Sequence, residues 1–301
     1  RDSPEGPLSE INFDGRVTTK GYLRGEVEAE LYFGDGTWSL KSRLDYTDLA
    51  YRFWGLGPDS PETAEEVYRP RRTLAYVELF RQVGPRTRLG LRYELEHVHY
   101  LQVEEGGLLD TLPYPGLEGR VAMGLGFTAS WDSRDDRFYP HSGIYAQGFA
   151  MWFDDEWGSR YDFNQYNLDL RLYQELLLEH VLAVQGFLYS ARGGAPVWRY
   201  ASLGGRAHSR GYRRDRYLDR TLLAFQGEYR IPLFWRLEGV VFGGLADVAP
   251  RVGKVKLETM RPTLGGGLRA RIGKGHRIRA RLDVAAGQGS VRLYLDLGEA
   301  F

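Results

Sequence analysis

The stretch Tyr22-Leu23-Arg24-Gly25-Glu26-Val27-Glu28-Ala29-Glu30-Leu31-Tyr32-Phe33 decides the fold. In an extended chain Leu23, Val27, Ala29, Leu31 and Phe33 fall on one face, and Tyr22, Arg24, Glu26, Glu28 and Glu30 on the other. A period of two is the mark of a β-strand with one apolar and one polar side. The pattern returns along the chain. Trp38, Leu40, Leu44 and Tyr46 oppose Lys41, Arg43 and Asp45. Ile278, Ala280, Leu282 and Val284 oppose Arg277, Arg279, Arg281 and Asp283, and Val291, Leu293, Leu295 and Leu297 oppose Arg292, Tyr294 and Asp296.

One such strand ordinarily belongs to a soluble antiparallel sheet with a single wet face. About thirteen of them, with almost no helical periodicity between, argue for something else. They lie near 9–33, 37–52, 70–82, 87–100, 120–132, 143–154, 161–177, 180–191, 220–231, 237–248, 262–272, 276–286 and 290–301. The charged faces are too dense for one wetted surface, whereas a polar lumen inside an apolar band accounts for both faces. The predicted fold is all-β, a single antiparallel transmembrane β-barrel over residues 1–301. About thirteen strands are visible, which implies fourteen or sixteen in the intact protein.

Composition agrees. The 301 residues carry no net charge and 27% of them are charged, and no stretch approaches the apolar run of about 18 residues that a membrane helix needs. Plentiful Gly, Tyr and Trp suit twisted strands and interfacial aromatics. With no basic excess to release phosphate counterions, nucleic acid is not expected as a partner. The lack of cysteine removes disulfides and thiolate metal sites. The polar start Arg1-Asp2-Ser3-Pro4 is no signal peptide, so the sequence reads as a mature, exported chain.

Connections alternate between tight turns (34–36, 84–86, 179–180, 273–275) and long polar loops (53–69, 101–119, 192–219, 249–261), the two ends of an outer-membrane barrel. Tyr32, Phe33, Trp54, Tyr100, Trp152, Trp235 and Phe301 fall near strand ends, where interfacial aromatics belong. The last strand runs down to the periplasm, so counting back through thirteen strands sends the first visible strand downward too and puts its N-terminus outside the cell. On that reading an upward strand, or an odd number of them, is missing before Arg1, and residues 1–8 are the remnant of an extracellular loop.

An ordered set of motifs adds a site. Trp131-Asp132-Ser133-Arg134-Asp135 ends one strand, and Phe138-Tyr139-Pro140-His141-Ser142-Gly143 opens the next. Leu203-Gly204-Gly205 and Arg210-Gly211-Tyr212 lie within a long loop, followed by Glu228-Tyr229-Arg230. Phe242-Gly243-Gly244-Leu245-Ala246-Asp247, Gly265-Gly266-Gly267-Leu268-Arg269, Arg281-Leu282-Asp283 and the closing Gly298-Glu299-Ala300-Phe301 complete the series.

From residue 50 or so to the end, this series resembles the BamA/TamA-like superfamily of outer-membrane assembly and translocation barrels, in its bacterial surface antigen barrel domain. The resemblance implies that loop 192–219 dips into the lumen and that the arginine of its Arg-Gly-aromatic tip, here Arg210, meets an acid on the inner wall. Gly211 would allow the tight tip and Tyr212 would pack on the wall. Strand parity sends Glu228 and Arg230 inward, opposite Leu223, Phe225, Tyr229 and Ile231, and sends Asp247 inward as well, opposite Val240, Phe242 and Val248. Arg210 is therefore expected to pair with Asp247, Glu228 or both, with Arg230 and Asp283 on the same inner wall. The simpler reading of the loop is a solvated, arginine-rich surface segment or anion patch, given Arg206, Arg213, Arg214, Arg216 and Arg220. Asp132, Arg134, Asp135, Pro140 and Gly143 form the turn motif. Phe301 shares parity with Val291 and Leu297, which predicts a lipid-facing terminal aromatic, and the resemblance implies that it serves as a signal to the assembly machinery.

Other constellations carry less. Gly265-Gly266-Gly267 opens no helix, so it is no nucleotide loop. His97 and His99 share a face but lack a third ligand. Ser133 beside Asp132, and His141 beside Ser142, sit in the turn motif rather than in a Ser/His/Asp set. No catalytic residue, metal or cofactor is predicted, and the expected site is the bacterial outer membrane. Three functions compete: a barrel that inserts or exports proteins or lipids without ATP, a passive channel or surface barrel, and an outer-membrane hydrolase. A barrel-only member could instead be the membrane anchor of a fused, periplasmic or other partner domain, including a secreted enzyme domain. The expected partners are outer-membrane lipid, substrate outer-membrane proteins or such a domain.

Overall fold

The computed structural model describes residues 9–19, 21–272 and 278–301, without the side chains of Tyr100 and Ile278. The strands are β1 Glu10–Val17, β2 Leu23–Phe33, β3 Trp38–Asp48, β4 Tyr51–Phe53, β5 Glu66–Gly84, β6 Thr87–Gln102, β7 Val121–Asp132, β8 Gly143–Phe153, β9 Phe163–Glu175, β10 Val181–Gly193, β11 Ala201–Leu203, β12 Tyr217–Asp219, β13 Thr221–Pro232, β14 Leu237–Ala249, β15 Arg261–Ile272, β16 Ile278–Gly287 and β17 Ser290–Leu297. Fourteen form one antiparallel path in the order β1-β2-β3-β5-β6-β7-β8-β9-β10-β13-β14-β15-β16-β17, with β4 added beside β5. β11 and β12 make a separate small hairpin inside the long loop.

The alternation read from the sequence sets the two faces. Leu44, Leu89, Phe127, Leu170, Val241 and Leu293 are exposed on the outside. Glu78, Glu94, Arg230, Arg269 and Asp283 are buried on the inside. A water-soluble barrel has the reverse arrangement, because buried charges are rare there and apolar side chains fill the core. An apolar outer band around a polar interior is the membrane solution.

One difference alters the strand count. Segment 9–33 is two strands, because the chain reverses between Thr18 and Tyr22, where Thr18 N–H donates to the Tyr22 carbonyl at 3.0 Å and Gly21 N–H to the Thr18 carbonyl at 3.0 Å. β1 then pairs with β2 from Glu10↔Glu30 to Val17↔Leu23. Among the described residues the path strands number fourteen, an even count, and residue 9 lies at the end of the tight turns rather than among the long loops. The odd count came from joining this hairpin into one segment. Residues 1–8 and the 273–275 turn fall outside the described residues.

The aromatics near strand ends divide. Phe33, Trp152 and Trp235 are exposed, as interfacial residues should be. Trp54 is buried among the long loops, and Tyr32 points inward to Glu30 and to Arg88 and Arg137 at 3.2 Å each.

Candidate functional site: a loop pinned to the inner wall

β10 and β13 are neighbours in the sheet, so the segment between Gly193 and Thr221 must leave the wall and return beside its own start. It does so as an inward plug. Leu203, Tyr212 and Tyr217 bury their apolar surface with Leu222, Ala224, Ala246 and Val248 of the wall. The tip lies deeper and carries Arg210, only 1% exposed.

Arg210 presents both ends of its guanidinium to carboxylates. Nη2 lies 2.6 Å from Glu228 and Nη1 2.8 Å from Asp283, both side chains 0% exposed. The planar group also stacks 3.5 Å above the centroid of Phe242. A guanidinium suits this task because its flat fork can serve two acids and an aromatic face together. Next to it, Gly211 has φ +104°, and a Cβ there would meet the Ala286 carbonyl carbon at 2.5 Å. Its N–H donates to the Tyr294 hydroxyl at 2.9 Å, and its carbonyl accepts from Ser290 Oγ at 2.5 Å. The Tyr212 hydroxyl donates to the Pro262 carbonyl at 2.9 Å and accepts from Gln288 N–H at 3.1 Å. The tip is thus sewn to β15, β16 and β17 by main-chain and side-chain bonds together.

The two acids belong to a wider network. Arg269 pairs with Asp283 at 2.5 Å and with Glu299 at 3.1 Å. Arg230 lies 3.3 Å from Glu228 and 3.8 Å from Glu299. Arg281 bridges Asp283 at 3.7 Å and Asp296 at 3.0 Å. Charges this deep are tolerated because each acid has more than one cationic partner; a single unpaired one would be costly.

Asp247 stands apart from this network, contrary to expectation. It shares the strand parity of the exposed Val241 and Leu245, while Val240, Phe242 and Val248 form the inward set. It is buried because the β14–β15 loop lies over it, and it accepts from Thr259 Oγ1 at 2.7 Å. Asp247 holds that loop rather than the plug.

Phe301 also departs from its predicted place. β17 ends at Leu297, and Gly298 at φ +87° breaks the alternation that parity relied on. The last residues turn inward, so that Phe301 is 6% exposed and packs with Tyr173 and Ala183 on β9 and β10. Glu299, which sequence reasoning left without a role, reaches Arg269 on the way.

The turn motif closes the same end. Arg134 grips Asp132 through Nε at 2.9 Å and Nη2 at 2.8 Å. Asp135 accepts N–H bonds from Asp136 at 3.0 Å, His141 at 3.0 Å and Ser142 at 3.1 Å. Desolvation pushes the Asp135 carboxyl up, but these donors outweigh it and hold it below the usual carboxylate range. Gly143 opens β8 where a Cβ would meet the Ser133 carbonyl oxygen at 2.4 Å. The Pro140 carbonyl accepts from Arg230 at 3.5 Å, and Arg279 stacks 3.8 Å from the Tyr139 ring centroid, so the turn touches the charged floor of the lumen.

A second anchor escaped the sequence. Arg199, 7% exposed near the start of the plug, pairs with Glu94 and, at 2.5 Å, with Glu96. The one available signal was the inward parity of both glutamates on β6. Arg216 adds bonds to the Ser60 carbonyl at 2.9 Å and hydroxyl at 3.1 Å. The His97 and His99 rings lie with centroids 4.0 Å apart, tilted by 50°, and His99 sits 2.9 Å from the Thr73 hydroxyl.

The edges of the sheet matter as much as the plug. Among the described residues, β1 and β17 have no strand partner on their outer edges. They flank a cavity of about 800 Å³, lined by Arg16, Thr18 and Tyr22 on one side and residues 292–296 on the other.

No curated protein matches the chain in sequence. Among solved structures, the crystal structure of BamA from Haemophilus ducreyi lacking POTRA domains 1–3 is similar with a TM-score of 0.63 and 15% identity. The match covers 96% of this chain and 63% of that one, so the likeness is one of fold and the chain spans less than two thirds of that BamA chain. The Omp85 superfamily domain matches residues 23–301, which includes the plug, both of its acids and the closing strand, and the chain belongs to the Omp85 superfamily.

Proposed function

We propose that this barrel assembles or translocates proteins, or lipids, at the outer membrane, and that it does so without ATP. The observation that carries this reading is the pair of unpartnered strand edges, β1 and β17, facing each other across a cavity. A free edge presents unpaired N–H and C=O groups that can template another strand, and barrels normally abolish such edges. Keeping one inside a hydrocarbon layer is costly unless incoming chain can use it. The filled lumen points the same way. A plug held by buried ion pairs favours a route along the seam over a water-filled passage down the centre.

The test is to close the seam covalently. Gly15→Cys and Leu293→Cys, joined by a flexible cleavable bis-maleimide, would bridge the two edges. The purified protein is placed in phosphatidylethanolamine/phosphatidylglycerol liposomes, and folding of an added eight-stranded barrel is followed by its shift in unheated gel electrophoresis. The unlinked protein should speed that folding, the linked one should not, and cleavage should restore it. Equal acceleration by linked and unlinked protein overturns the seam mechanism. Large steady ion conductance with no acceleration favours a passive channel.

A further inference from the structure

We propose that the cavity between the β1–β2 hairpin and β17 binds the phosphate-bearing headgroup of a membrane lipid. Six arginines line it: Arg16, Arg52, Arg206, Arg213, Arg214 and Arg292. Only Asp215 and Asp296 oppose them in the lining, an excess of four positive charges in a chain whose formal net charge is zero. Most of these cations are already engaged. Arg206 holds Asp296 at 2.9 Å, Arg214 lies 3.6 Å from Asp215, and Arg52 and Arg213 share Glu65 at 2.6 and 3.2 Å.

Arg16 and Arg292 are different. They stand on opposite sides of the seam, and neither has an ion pair among the described residues. Arg292 keeps a buried Nε with no hydrogen-bond partner. Two arginines awaiting acceptors across one cavity suit a tetrahedral oxyanion, which can take bonds from both forks. Leu293 and Leu295 line the same cavity and are 68% and 78% exposed on the lipid-facing side. Cationic inside and apolar outside is the arrangement that an anionic amphiphile fits, with its headgroup on the arginines and its chains along the leucines. Thr18, Tyr22 and residues 49–52 place one end of the cavity at the long-loop side, where a headgroup can sit, and residues 292–296 carry it down along β17, where the chains can follow. Binding here does not depend on the transport reading, since the site would fill whether or not the seam opens.

The full chain in dodecyl maltoside is titrated with dioctanoyl phosphatidic acid, dioctanoylglycerol or inorganic phosphate, and bound lipid is counted by native mass spectrometry. One phosphatidic acid should bind, and dioctanoylglycerol and inorganic phosphate should bind at least tenfold more weakly. Arg16→Gln/Arg292→Gln should weaken phosphatidic acid by roughly tenfold or more, whereas the exposed Arg251→Gln should leave it unchanged. The single variant Arg16→Gln, on an exposed strand, covers the case in which the double variant fails to fold, and should weaken binding severalfold. Four results would each overturn the proposal: equal affinity in the variants, equal binding of dioctanoylglycerol, phosphate binding as tightly as the lipid, or an acidic peptide displacing the lipid at equal strength.

Discussion

Arg210, at the tip of a loop, and Glu228, on the wall strand that the loop leads into, meet at 2.6 Å where neither side chain is more than 1% exposed. The contact closes a local circuit: the chain leaves the wall at β10, inserts into the lumen and returns to the same wall beside its own anchor. Asp283, from the far end of the sequence, completes the clamp at 2.8 Å.

Removing one partner of this clamp should cost more than the clamp contributes, because the acids would be left buried without their cation. Arg210→Ala is expected to destabilise the barrel by about 3–5 kcal/mol, read as a lower midpoint of thermal unfolding in micelles. Arg210→Lys should recover only part of this, since an ammonium cannot bridge two carboxylates and stack on Phe242 together. A wild-type midpoint for Arg210→Ala would show that the pair is incidental.

Because the plug has two buried anchors, single changes should open it incompletely. In planar bilayers Arg210→Ala and Arg199→Ala should each raise conductance modestly, and the double variant by more than the sum. Strict additivity would mean that the tip and the base of the plug move independently.

Gly211→Ala tests the tip without touching a charge. The added Cβ would overlap the Ala286 main chain, and φ +104° is strained for any L side chain, so the tip must lift. Raised conductance with all charged residues intact is the expected outcome, and unchanged conductance would count against a tip seated on β16.

Asp247→Ala separates the two loops. It should release the β14–β15 loop, at a cost of about 1 kcal/mol for the lost Thr259 bond, and leave conductance as it was. Faster proteolysis confined to 250–260 would be the signature. A conductance rise like that of Arg210→Ala would return Asp247 to the plug.

Acid should loosen the β7–β8 turn before the wall. The folded Asp135 carboxyl sits below its unfolded value near 3.9, so the unfolded state takes up the proton first as pH falls. Its stabilising share is complete above that value and is lost as pH drops through the folded one. The group is largely exposed, so the effect is small, well under about 1 kcal/mol after solvent screening. Protection of the His141 and Ser142 amides, as the exchange rate relative to the intrinsic rate at each pH, should fall below pH 4 in wild type and stay constant over that range in Asp135→Asn.

Phe301→Ala should destabilise by about 3 kcal/mol, the low end for a buried phenylalanine. A terminal aromatic that faced detergent would cost almost nothing. Refolding rate into liposomes, measured separately, would show whether it also serves as an assembly signal.

The sequence by itself determined the wall. Alternation of period two is local, so Glu228 and Arg230 could be sent inward, and Leu293 and Leu295 outward, without knowing any neighbour. The spacing of turns separated the two ends in the same way, and the Arg-Gly-Tyr loop was legible only through the resemblance that its motif and the motifs in order around it carry. Parity failed where the chain stopped being extended or was covered by something distant. The reversal between Thr18 and Tyr22 hid inside one apparent strand, Gly298 reversed the side that Phe301 takes, and β14 is apolar on both faces, so parity sent Val240, Phe242 and Val248 to the wrong side and Asp247 with them. Only the tertiary structure decided that Asp283 rather than Asp247 joins Glu228 in receiving Arg210, that Arg199 finds Glu94 and Glu96, and that, among the described residues, the first and last strands have unpaired edges. Those contacts join residues far apart in sequence, and they depend on how a curved sheet brings its walls together, which no local pattern encodes.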